Sequence, residues 1–119
     1  MTHLDLLTTI AHRVREDGAA AALASLRAER PQLTAPDLTV VEYHDTLAVF
    51  YVWAVDRLVD AGLDDVHVLW HPLTDPRSVL AWYDDATISS AAAAVRFVPS
   101  TRVLPGEPAP GEARELLAA

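Results

Sequence analysis

Leu38-Thr39-Val40-Val41-Glu42-Tyr43-His44-Asp45-Thr46-Leu47-Ala48-Val49-Phe50-Tyr51-Val52-Trp53-Ala54-Val55 is the passage on which the fold turns. Its first six residues are mostly β-branched or aromatic, the composition of a strand. From Thr46 to Ala61 the chain has the length and apolar content of a crossover helix, with Asp45 as candidate N-cap and Gly62 just past its end. Strand-like runs recur at Val66 to Trp70 and, more weakly, at Val95 to Val98. Strand, helix, strand is a βαβ signature, and strands that read as continuous apolar runs suit a buried parallel sheet.

Upstream, Thr2 and Asp5 are spaced as an N-cap and its N3 partner, and Leu4, Leu7, Ile10, Ala11 and Val14 recur at helical intervals. Gly18 punctuates, and an Ala-rich second helix runs from Ala19 to Arg30 before Pro31. Downstream, Asp75-Pro76 is an N-cap and N1 pair that opens a helix through about Tyr83. These elements predict an α/β or α+β fold, an N-terminal helical hairpin plus a small βαβαβ-like sheet. The same residues support a rival, because Thr34 to Asp37 resembles a capping box. Val40, Tyr43, Leu47, Phe50, Ala54, Leu58 and Ala61 then repeat at steps of three and four. In that version the domain is mostly α-helical with one long helix over 35–61. A third arrangement pairs Leu38 to Tyr43 with Thr46 to Ala54 as a hairpin about His44-Asp45. Residues 1–103 are expected to form a single globular domain, and the Pro/Gly-rich 104–119 a linker and C-terminal tail.

Charge is unevenly placed. Between Asp37 and Asp85 lie ten acids and two arginines, which account for the whole net charge of −8, while the remaining residues balance. Every Trp and Tyr and three of the five His fall in the same window. Such a charge repels phosphate backbones and anionic lipid, so neither nucleic acid nor membrane is an expected partner. The chain has no Cys, which excludes a disulfide framework, a thiolate nucleophile and Cys-bound zinc. The N-terminus lacks a basic stretch followed by a long apolar run, and a cytoplasmic location is the simplest expectation. No glycine-rich phosphate loop or nucleophile elbow occurs, and no cofactor is expected.

Three functional readings follow. The leading one is an acidic interaction or accessory protein that presents an acidic aromatic surface to a larger partner, with Trp82, Tyr83, Asp84 and Asp85 as the binding residues. The second is a small metal-independent isomerase, cyclase or lyase. Ligands of doubly wound sheets sit beyond the carboxyl ends of the strands, which here present Tyr43, His44 and Asp45, then His71 and Asp75, then Arg102. His44 or His71 would be the acid/base, Asp45 or Asp75 its orienter, and Tyr43 or Arg102 the polariser of a substrate oxygen. The third is a metal protein using His67 and His71, which share a helix face if that segment is helical but stand about 13 Å apart on a strand. The bland alternative for each group is a helix cap, a turn or core. Phe50, Trp53 and Trp70 read as core, His3 and His12 as solvated, and exposed sheet edges lead us to expect a homo-oligomer.

Overall fold

The computed structural model describes residues 2–102, and the expected tail at 104–119 lies outside them. It is mostly helical, with a single two-stranded antiparallel sheet among the described residues. In chain order the elements are α1 (His3–Asp17), α2 (Ala19–Glu29), β1 (Leu33–Thr34), β2 (Val40–Val41), α3 (Asp45–Asp60) and α4 (Asp65–Leu69). Two 3-10 turns follow at Pro72–Thr74 and Pro76–Ala81, then α5 (Asp85–Ile88) and α6 (Ala91–Val95).

The centre of the molecule is α3. Every side chain from Asp45 to Val55 is buried, so this helix is apolar all round and must be covered on every side. Helices α1, α2 and α3 pack on one another, with α4 and α6 closing further flanks of α3. Leu6, Leu7, Ile10, Ala11 and Val14 of α1 and Ala22, Leu23 and Leu26 of α2 supply the facing core. Thr2 and Asp5 form the capping box: the Thr2 hydroxyl accepts from the Asp5 amide at 3.1 Å, and the Asp5 carboxylate accepts from the Thr2 amide at 2.9 Å. At the far end of α3, the Gly62 amide donates to Val59 and the Leu63 amide to Leu58. That closure needs a left-handed residue, and Gly62 sits at φ +90°.

Neither the βαβαβ sheet nor the long helix over 35–61 forms. Leu38 adopts φ +70°, and the Asp37 carboxylate accepts from both the amide and the hydroxyl of Thr39, at 3.1 and 2.6 Å. This side-chain turn breaks any helix through the segment. Only Val40 and Val41 remain as strand, and they pair backwards with Leu33 and Thr34, in the register Leu33 to Val41 and Thr34 to Val40. The strand character is real; its partner lies upstream and antiparallel. The proposed hairpin about His44-Asp45 is likewise replaced, because those residues open α3.

Val66 to Leu69 is helix rather than strand, with Trp70 as its C-cap. The Asp64 carboxylate caps it, accepting from the His67 amide at 3.0 Å. Val66, Val68 and Trp70 alternate, which mimics a strand with one apolar face. Wound into a helix, the same spacing sends Val68 into the core and leaves Val66 and Trp70 together on the outside. The third expected strand is also absent. Val95 ends α6, and Phe97 and Val98 donate their amides to the side chains of Asp45 and Thr46, at 2.8 and 3.1 Å, in place of a strand neighbour. No described helix is long and apolar enough to cross a membrane.

Candidate functional site

The imidazole and carboxylate groups expected to do chemistry hold the fold together. His44, not Asp45, is the N-cap of α3. Its Nδ1 accepts from the Leu47 amide at 3.2 Å and its Nε2–H donates to the Ile88 carbonyl at 2.8 Å, so both ring nitrogens are occupied. Asp45 is buried and accepts from four donors: Arg27 Nε and Nη2 at 2.9 and 3.0 Å, the Tyr43 hydroxyl at 2.8 Å and the Phe97 amide at 2.8 Å. Burial by itself raises the Asp45 carboxyl, but the hydrogen bonds from Arg27 and Tyr43 outweigh it and hold the group below the usual carboxylate range. Burial, and then the neighbouring Asp45, push the Tyr43 phenol well above its ordinary value. The Arg30 guanidinium covers the Tyr43 ring at 4.8 Å. A filled carboxylate, a high phenol and a doubly bonded imidazole form a clamp that joins α2, α3 and the 96–98 segment.

The other candidate groups are also engaged, and away from His44 and Asp45. His71 caps the first 3-10 turn, its Nδ1 accepting from the Leu73 amide at 3.0 Å. Asp75 caps the second and pairs with Arg77, whose guanidinium and amide hold its carboxyl down at about 2. Arg102 donates to the Leu80 carbonyl at 2.5 Å. His44 borders a cavity of about 300 Å³ with Leu80, Asp85 and Ile88, whereas His71 borders a separate one with Leu58 and Trp82. His71 and Asp75 do border one further cavity of about 150 Å³, together with His3, so the acid/base groups fall into separate sets, His44 and Asp45 in one and His71 and Asp75 in the other.

Nor does a metal cluster form among the described residues. α4 ends before His71, and the His67 Nδ1 is spent on Asp64 at 2.6 Å.

The acidic aromatic surface is not at residues 82–85. Trp82 and Tyr83 are buried, Trp82 edge-on to Trp53 at 5.4 Å and the Tyr83 hydroxyl donating to the Val98 carbonyl at 2.6 Å. Asp84 caps α5 by accepting from the Thr87 amide at 2.7 Å, and Asp85 alone of the four is exposed. Trp70, expected in the core, stands outside with 71% of its surface exposed, and Val66 beside it has 64%. His3, expected in solvent, is half-buried: its Nε2–H donates to the Thr74 carbonyl at 2.8 Å and its ring meets Tyr51 at 4.8 Å.

The helix that carries Trp70 is fixed from beneath. Val68 is buried, and its carbonyl accepts from the Thr74 hydroxyl at 2.8 Å. Arg15 of α1 pairs with Asp65 and donates to the Leu63 carbonyl at 3.1 Å. Asp64 and Asp65 open the helix, and the Asp64 carboxyl is held low by the His67 amide and ring. What faces solvent is a short helix with an indole at its C-cap, an isopropyl group one turn before it and carboxylates at its start. Comparison with protein-family models, with curated proteins and with solved structures finds no match to this chain.

Proposed function

We propose that this protein is an interaction module that docks the Val66 and Trp70 face of α4 onto a basic partner protein. The exposure of Trp70 carries the reading. Trp and Val side chains contribute stability by leaving water, on the order of 1.5–3 kcal/mol each when fully buried. In this chain Trp53 and Trp82 are packed inside, and Trp70 is held outside on an anchored helix. An indole at the centre of a contact is a common source of binding energy, with truncation costing about 2 kcal/mol or more. The partner's chemistry follows from the charge of the chain, −8, which lies wholly between Asp37 and Asp85, the window that holds this face. A basic surface with an apolar pocket sized for an indole complements this face, and steering by charge would speed encounter. A second copy would bring the same acids against each other, so self-association is an alternative outcome of the test.

The test is affinity capture from extracts of the source organism with the full chain, compared with a Val66→Ser/Trp70→Ala variant of unchanged circular dichroism. The expected result is a basic protein retained by the parent chain, lost from the variant and weakened by salt. Identical retention by both chains, or recovery of the chain itself only, would overturn the reading.

A further inference from the structure

Beyond the docking face, the turn over 35–39, the start of α3 and the helix α5 border a cavity of about 300 Å³. That is the lower end of the roughly 300–1,000 Å³ of small-molecule sites, so its occupant is small. Val41, Leu47, Leu80 and Ile88 make its walls apolar, and the charged groups of its lining are Asp37 and Asp85. Among the described residues no arginine lines it, and Arg102 is directed to the Leu80 carbonyl instead.

Both carboxylates have room for a ligand. Asp37 uses one oxygen, Oδ1, to accept from the Thr39 amide and hydroxyl, which leaves Oδ2 without a partner among the described residues. The Asp85 carboxylate is exposed in the first turn of α5 and meets no donor among the described residues. The lip that carries Asp37 is fixed, because the Ala35 amide donates to the Thr39 carbonyl and the Leu38 amide to the Ala35 carbonyl, both at 2.8 Å. His44 brings no positive charge, since its Nδ1 accepts from the Leu47 amide and so holds no proton. The start of α5 opposes a cation with at most about half an elementary charge and is already capped by Asp84, so two full negative charges outweigh it. An ammonium group is all donor and no acceptor, which matches carboxylates at the mouth of an apolar chamber. No Trp, Tyr or Phe lines the cavity among the described residues, so a primary amine with N–H donors fits it better than a quaternary ammonium ion that needs ring faces.

We infer that this cavity binds a small primary amine whose apolar body rests against Leu47, Leu80 and Ile88 and whose ammonium group is held by Asp37 and Asp85. The site is separate from the Trp70 face, and neither Val66 nor Trp70 lines it.

The test uses amide NMR spectra of the full chain at neutral pH, titrated with phenethylamine, with its uncharged counterpart 2-phenylethanol and with the anion phenylacetate. Phenethylamine is expected to move the signals of Thr39, Val41, Leu47 and Ser89 to saturation. The alcohol should bind about tenfold more weakly, as loss of charge-assisted hydrogen bonds implies, and phenylacetate should leave the signals unmoved. Asp85→Asn should weaken phenethylamine by about three- to fivefold, the worth of one exposed ion pair, and leave the alcohol unchanged. Asp60→Asn removes the same charge at the far end of α3, about 20 Å from Leu47 at 1.5 Å per residue, and should bind like the parent. Ser89→Trp fills the chamber from an exposed rim position and should abolish binding of both ligands, whereas Trp70→Ala should change neither. The inference is overturned if phenethylamine causes no saturable shift at these residues, or if the alcohol or the carboxylate binds as well. It is equally overturned if Asp85→Asn weakens binding no more than Asp60→Asn, or if folded Ser89→Trp binds phenethylamine unchanged.

Discussion

Replacing Asp45 with Asn exposes what the central carboxylate does. The substitution keeps the shape and removes the charge from a group that accepts from Arg27 twice, from Tyr43 and from the Phe97 amide. An amide oxygen can keep one or two of these donors, but its NH2 group then faces the others. Leaving one or two buried donors unpaired costs about 1–3 kcal/mol each. The lost attraction of Arg27 adds little, because that side chain is 34% exposed and water screens it. A total of about 2–4 kcal/mol is a large part of the 5–15 kcal/mol typical of a domain.

The pH dependence gives the sharper test. The Asp45 carboxyl is depressed in the folded protein. Its contribution is therefore complete above the unfolded-chain value near about 4 and is lost as pH falls through the folded value. Urea unfolding followed by far-UV circular dichroism should show a deficit for Asp45→Asn that is constant around neutrality and shrinks on acidification below about pH 4. Equal stability of the two chains at neutral pH, or a deficit that does not change in acid, would refute the reasoning.

Other outcomes follow from the same geometry. Thr46→Val removes a buried hydroxyl that donates to the Ala93 carbonyl at 2.7 Å and accepts from the Val98 amide at 3.1 Å, so it should cost about 1–3 kcal/mol in the same urea assay. A cost near zero would mean that the 96–98 segment is not held there. Acrylamide should quench mainly Trp70, and Trp70→Phe should remove most of the quenchable fluorescence; equal quenching of the three indoles would place Trp53 or Trp82 in water. An NMR titration of the Asp75 carboxyl should give a midpoint near about 2, rising toward the ordinary carboxylate range in Arg77→Ala; a midpoint that the substitution leaves alone would separate the pair.

The legible parts of the fold were those fixed by neighbours in sequence. The Thr2 and Asp5 capping box, the Gly62 closure and the Asp75-Pro76 start of the second turn are each set within a few residues, and all three are present. The body of α3 was readable as a helix in two of the three arrangements, because Thr46 to Ala61 has a helix's length and ends at Gly62, although Thr46 to Ala54 alone also suits a buried strand. Strand pairing was not readable, since nothing local in Val40-Val41 distinguishes a partner at Leu33-Thr34 from one at Val66 onward. Val66, Val68 and Trp70 satisfy both periods, and the decision falls to the Asp64 cap and the burial of Val68. The site was misplaced for a related reason. His44, Asp45, His71 and Asp75 are residue types that serve caps and chemistry equally, and their roles are set by distant groups such as Arg27, Phe97 and Ile88. The outward position of Trp70 carries no sequence signal once its segment is read as strand.

The docking claim is met most directly by a photoreactive side chain placed at Val66 in the living source organism, with the same group at Leu38, which is also exposed, as the control. The account predicts a specific adduct with a basic protein from position 66, absent from position 38 and lost when Trp70 is also replaced by Ala. Adducts that are the same from both positions, or that persist without the indole, would contradict it.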